Sequence, residues 1–203
     1  MIRAPLLAGL LAVSLVACGP VADPLPPLGA DGQPVQRVYR IGPGDADRVQ
    51  SRALDAVNTL RAQSRLAPLR MEGSLTSAAA AHSRDMSAQG RAWAFGSDGS
   101  PPVVRVARAG YRGTFLGKAV SETYESELET VNGWMGQADT RGVLMDPAAR
   151  EMGFAWHQDP DGKLWWTLIT GTPGGADPLA AVAAGPAPME DPGPFFPGVF
   201  EPM

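Results

Sequence analysis

Apolar positions recur at helical spacing through the first two thirds of the chain and give way to strand-like runs towards the end. Val49, Ala53, Val57 and Leu60 fall three or four residues apart, so one apolar stripe follows a helix predicted over residues 45–66, and Pro68 stops it. Leu75, Ala79, His82 and Met86 share a face of a second helix over 75–89, with Ser74 as expected N-cap and Gly90 just past its end. Ser100 and Pro101 predict a cap and a first-turn proline for a short helix that Gly110 closes. A fourth helix is expected over 126–135, with Leu128, Val131 and Trp134 or Met135 facing inward.

The period then changes. Residues 153–157 and 164–170 read as strands, and Asp159-Pro160-Asp161-Gly162 between them supplies turn chemistry, so the two form an antiparallel hairpin. A further strand is expected over 115–120. Helices first and strands last predict an α+β domain, with helices packed on a small antiparallel sheet.

The ends differ in kind from the middle. Arg3 followed by the apolar run Leu6 to Val16 has the parts of a secretory signal, and the run is shorter than the roughly 20 apolar residues that a spanning helix needs. Leu15-Val16-Ala17-Cys18 resembles the lipobox of bacterial lipoproteins, in which the cysteine is lipidated and becomes the mature N-terminus. That resemblance implies a signal peptide over 1–17 and a membrane partner reached through lipid on Cys18. Gly19, where aspartate is associated with inner-membrane retention, implies the outer membrane, facing the periplasm. Cys18 is the only cysteine, so once lipidated it leaves no thiol for a disulfide, a metal or a nucleophile. Residues 18–44 are expected to be a lipidated Pro/Gly-rich tether, and 172–203 a Pro/Gly/Ala-rich tail whose Phe195, Phe196 and Phe200 leave partner binding open beside simple disorder. A net charge of −4 without long runs of one sign argues against nucleic acid as a partner.

Five segments of the middle region, in order, resemble the CAP superfamily (the SCP domain of cysteine-rich secretory proteins, antigen 5 and plant pathogenesis-related proteins) in its bacterial type. They are His82-Ser83-Arg84-Asp85-Met86, the Gly96 to Pro101 loop with Arg105 and Ala109-Gly110-Tyr111, and Val131-Asn132-Gly133-Trp134-Met135. Met152-Gly153-Phe154-Ala155-Trp156 and Trp165 to Gly171 complete the set. The resemblance covers residues 45–171 and implies a CAP-type α-β-α sandwich.

Such proteins often line a cleft with histidines and glutamates that bind zinc or another divalent ion. Carried over residue by residue, these positions fall on Ala94, Lys118, Thr140 and Trp165, with Trp93 beside the first and Arg141 beside the third. An alanine, an ammonium and a hydroxyl do not make the three or four converging donors that zinc requires, so neither a metal nor any other cofactor is expected. His82, on an apolar helix face, is expected to be a buried structural histidine, and His157 to lie exposed beside the hairpin turn. Glu122 is the best remaining polar candidate, able to meet Lys118, Thr140 or Arg141; a plain surface ion pair is the competing expectation. Trp93 and Trp165 would make the cleft aromatic.

The function expected is that of a non-catalytic envelope protein that binds an envelope protein or an apolar ligand. One alternative is a hydrolase built on a shifted site around Glu122, although no Gly-x-Ser-x-Gly elbow is present and Ser97 and Ser100 read as loop and cap residues. The other is a structural envelope lipoprotein.

Overall fold

The computed structural model describes residues 38–174. The expected signal peptide, Cys18 with its lipid, most of the tether and the tail beyond 174 lie outside the described residues. Within them the order is α1 (Ala46–Gln63), β1 (Arg70–Met71), α2 (Gly73–Gln89), α3 (Pro102–Arg108), β2 (Thr114–Thr123), α4 (Glu127–Gly136), α5 (Ala138–Leu144), β3 (Glu151–Gln158) and β4 (Leu164–Thr172).

One four-stranded sheet carries the strands in the order β1-β3-β4-β2. The hairpin β3-β4 and the pair β2-β4 are antiparallel, while the short β1 runs parallel to β3. Residues 164–171 are buried without a break, because β4 is central and covered on both faces. One face packs Phe154, Trp166 and Leu168 against Val49, Ala53 and Val57 of α1, together with Val131 and Trp134 of α4 and Leu144 of α5. The other packs Ala155 and Ile169 against Leu75, Ala78 and Ala79 of α2 and Val106 of α3. The layers are therefore helix, sheet, helix.

Several local expectations move when the packing is seen. The cap of α2 is Glu72, whose carboxylate accepts from the Leu75 amide at 2.6 Å, and Ser74 lies inside the first turn. A charged acceptor at a helix N-terminus competes well with a hydroxyl two residues later. Gly90 does close the helix, at φ 68°. Helix α3 begins at Pro102, one residue late, because a residue before proline is held extended and Pro101 stays at ψ 163°. Leu128 is 43% exposed, which corrects its inward assignment. The capping box of Ser126 and Glu129 sets the phase of α4 so that Glu127, Thr130, Val131 and Trp134 face inward instead. The two-residue β1 and the helix α5 carry too little pattern to have been expected.

Residues 38–44, expected to belong to the tether, lie along the domain. The Tyr39 amide donates to Tyr124 O at 3.1 Å, the Gln158 side chain donates to Tyr39 O at 2.7 Å, and Tyr39 Oη donates to Glu127 at 2.9 Å.

Candidate functional site

The chemistry-bearing side chains collect on the α2 face of the sheet. Helix α2 reaches the sheet closely because Gly153 has no side chain: a Cβ there would lie 2.1 Å from the Leu75 carbonyl carbon. About two turns further on, Ser83 donates to Thr167 at 2.9 Å, and His82 is fully buried. Its Nε2 lies 2.8 Å from the Trp93 carbonyl oxygen; since a carbonyl only accepts, Nε2 carries the proton. Nδ1 is buried without a partner. Burial first, then the Arg105 and Lys118 charges, lower the His82 pKa to about 4, against the upward pull of the Trp93 bond. The imidazole is neutral at pH 7.

The loop after α2 is built on that bond. Trp93 Nε1 donates to Gln89 at 2.7 Å, its ring meets Phe95 at 5.5 Å, and the Arg91 guanidinium lies 3.4 Å from its centroid. Ala94 offers only a methyl group. Beyond it, Asp85 accepts from the Ser97 amide at 2.9 Å. Asp98 accepts from the Ser100 amide at 2.9 Å and from Arg108 at 2.6 Å. Hydrogen bonds from Ser100 and Arg108 hold the Asp98 carboxyl well below the usual range. Asp98 is thus an organiser of the turn before α3.

The positions singled out around Lys118 do not form one cluster. Lys118 pairs in register with Ile169, on the α2 face, and is half-buried there. Burial and the charge of Arg105 lower its pKa, and among the described residues it has no hydrogen bond or ion pair. Glu122 instead meets Lys163 at 3.3 Å on the surface. Thr140 and Arg141 turn away to the end of α4, donating to Trp134 O at 2.6 Å and Met135 O at 3.2 Å. Trp165 is buried, donates to Asp159 at 2.7 Å, and has Lys163 over its ring at 4.5 Å, so it lines no open aromatic cleft. Trp93 is the more accessible of the two. His157 is half-exposed and lies 3.4 Å from Asp159.

Two features escaped the sequence reading. Glu127 is fully buried, ion-paired with Arg52 and bonded to Tyr39, although nothing in an acidic first turn distinguishes an inward carboxylate from a solvated one. The second is an open pocket of about 480 Å³ between α2, α3 and the 96–100 loop, lined by Asp85, Asp98, Arg105 and Arg108 with Ser77 and Ser97. Asp85, Ser97, Asp98 and Arg105 belong to the quoted motifs, but only tertiary packing brings α3 beside α2.

The metal that relatives often hold does not fit these residues. The imidazole nitrogen that faces a partner is committed to Trp93 O, and an unpaired ammonium beside a guanidinium repels a cation. Among the described residues, no three histidine, cysteine, aspartate or glutamate side chains converge.

Residues 54–170 match the cysteine-rich secretory protein family, and the chain belongs to this CAP family. No curated protein matches it. Among solved structures, it is similar to an outer surface protein from Borrelia burgdorferi, with 14% identity, a TM-score of 0.56, and 66% of this chain and 97% of that one covered. An extracellular SCP-domain protein from Bacillus anthracis is 18% identical, with a TM-score of 0.53 and coverage of 66% and 47%. A cysteine-rich secretory protein from Staphylococcus aureus is 14% identical, with a TM-score of 0.53 and coverage of 71% and 44%. The chain thus spans less than half of the last two, and at these identities the likeness concerns the fold.

Proposed function

We propose that this chain is a non-catalytic CAP-domain protein of the bacterial cell envelope, anchored by lipid on Cys18 and binding a ligand or partner. The observation that carries the reading is Lys118. It occupies the position where the family resemblance expects a glutamate, half-buried, without an ion pair among the described residues and facing the charge of Arg105. Such a centre disfavours both a metal-activated water and a carboxylate base. The hydrolase alternative loses its main support, because Glu122 is spent on Lys163 at the surface. The lipobox-like Leu15-Val16-Ala17-Cys18 supports anchoring, and the names of the Borrelia and Bacillus relatives support an envelope or secreted location.

Thermal unfolding of the full chain with zinc, calcium or magnesium, against EDTA, tests the non-catalytic reading. No shift is expected, and no hydrolysis of peptide, ester or glycan substrates. A specific ion at a hundredfold excess over its Kd would add about 2.7 kcal/mol and raise the midpoint. Such a shift, or hydrolysis lost in Glu122→Gln, overturns the reading. For anchoring, acyl mass on Cys18 and release of Cys18→Ser to the soluble fraction are expected; an unmodified, soluble wild type overturns it.

A further inference from the structure

We propose that the pocket between α2, α3 and the 96–100 loop binds a small carboxylate-bearing ligand through Arg105. The inference deepens the binding reading above by naming a ligand class, and rests on it only to that extent.

The argument starts from hydrogen-bond supply. Arg105 lines the pocket, yet among the described residues its guanidinium forms no hydrogen bond and no ion pair, and Nη2 is buried without a partner. A guanidinium has five N–H donors, and leaving them unused in a half-buried setting costs free energy. Both neighbouring carboxylates are otherwise engaged: Asp98 by Arg108 and the Ser100 amide, Asp85 by the Ser97 amide and Gln89. Lys118 adds a second unpaired cation whose charge is felt at this point. An incoming carboxylate would receive a charge-assisted N–H bond from the part of the Arg105 guanidinium that lines the pocket.

The surroundings suit a small molecule. The space of about 480 Å³ falls within the size range of ligand pockets. Ala78, Ala81 and Ala109 give it an apolar wall, and the hydroxyls of Ser77 and Ser97, which bond to no described residue, stand at its edge. The Gly96 backbone closes over the guanidinium, since a Cβ there would lie 3.4 Å from Arg105 Nη2. A carboxylate head against Arg105 with a short, partly polar body is the chemistry that this wall accepts.

Calorimetric titration of the full chain with acetate, succinate and alanyl-alanine, each beside its neutral amide, tests the proposal. Saturable binding of at least one acid is expected, at least about tenfold weaker for its amide and for Arg105→Gln. Ser77→Leu, which narrows the pocket and leaves Arg105 in place, weakens the same binding, whereas Arg84→Gln on the exposed side of α2 does not. Because Arg105 has no hydrogen-bond or ion-pair partner to lose among the described residues, Arg105→Gln is expected to keep the wild-type unfolding midpoint; if it does not fold, Ser77→Leu decides. No saturable binding of any acid up to about 10 mM overturns the proposal. Equal affinity for acid and amide does so too, as does wild-type affinity in folded Arg105→Gln. The divalent-ion titration is read separately, so failure here is distinct from failure of the non-catalytic reading.

Discussion

His82 donates from Nε2 to the carbonyl oxygen of Trp93 across 2.8 Å, and this bond fastens the loop after α2 to a fully buried point on the helix. The arrangement works only while the imidazole is neutral, because burial and the nearby Arg105 charge disfavour a second proton on Nδ1.

Stability should therefore depend on acid through His82. Its pKa is lowered in the folded state to about 4, from an ordinary value of 6.5, so the folded chain binds fewer protons than the unfolded one between those limits. The stabilisation is complete above the upper limit and is lost as the pH falls through the lower one, by roughly 3 kcal/mol. Urea midpoints at neutral pH and near the lower limit, for wild type and His82→Gln, measure it. The wild type should lose more than the variant by about that amount; equal losses would remove His82 from the account.

Arg61 should be far more sensitive than its charge suggests. It is fully buried and donates to the carbonyl oxygens of Ala67, Leu144, Asp146 and Ala149, at 2.8 to 3.1 Å, so it ties α1 to the segment before β3. Arg61→Met is expected to destabilise by about 3–5 kcal/mol, since the carbonyls lose their donors. Arg61→Lys should rescue only part of this, because one ammonium cannot span all four. Chemical denaturation of the two variants checks the order.

Gly153→Ala is expected to cost at least about 2 kcal/mol, as the new methyl would press on the Leu75–Thr76 backbone and neither β3 nor α2 has room to retreat. A thermal midpoint within error of wild type would show that the two elements slide apart easily.

Glu122→Gln, by contrast, should change stability by less than about 0.5 kcal/mol. Its ion pair with Lys163 is surface-exposed and open to screening by salt. A larger loss in the same denaturation experiment would mean that the carboxylate does something beyond pairing.

What the sequence alone determined was periodic or local. The stripe Val49, Ala53, Val57 lies buried on α1, and Gly90 ends α2. The turn after Asp159 closes the hairpin with Gly162 at φ 102°, and the largely apolar residues 164–170 form the second strand of that hairpin. Each follows from side-chain period or turn chemistry within about ten residues, where one element's physics suffices. Tertiary structure decided everything that depends on which elements meet. It separated Glu122, Lys118, Thr140 and Arg141, which the sequence could draw together, because strand pairing and the end of α4 give each a different neighbour. It buried Glu127 beside Arg52 and Tyr39, and it set Arg105 unpartnered in a pocket that exists only where α3 lies against α2. Hydrogen-bond accounting is a property of the packed chain, so an unused donor can be recognised only after every other group has found its partner.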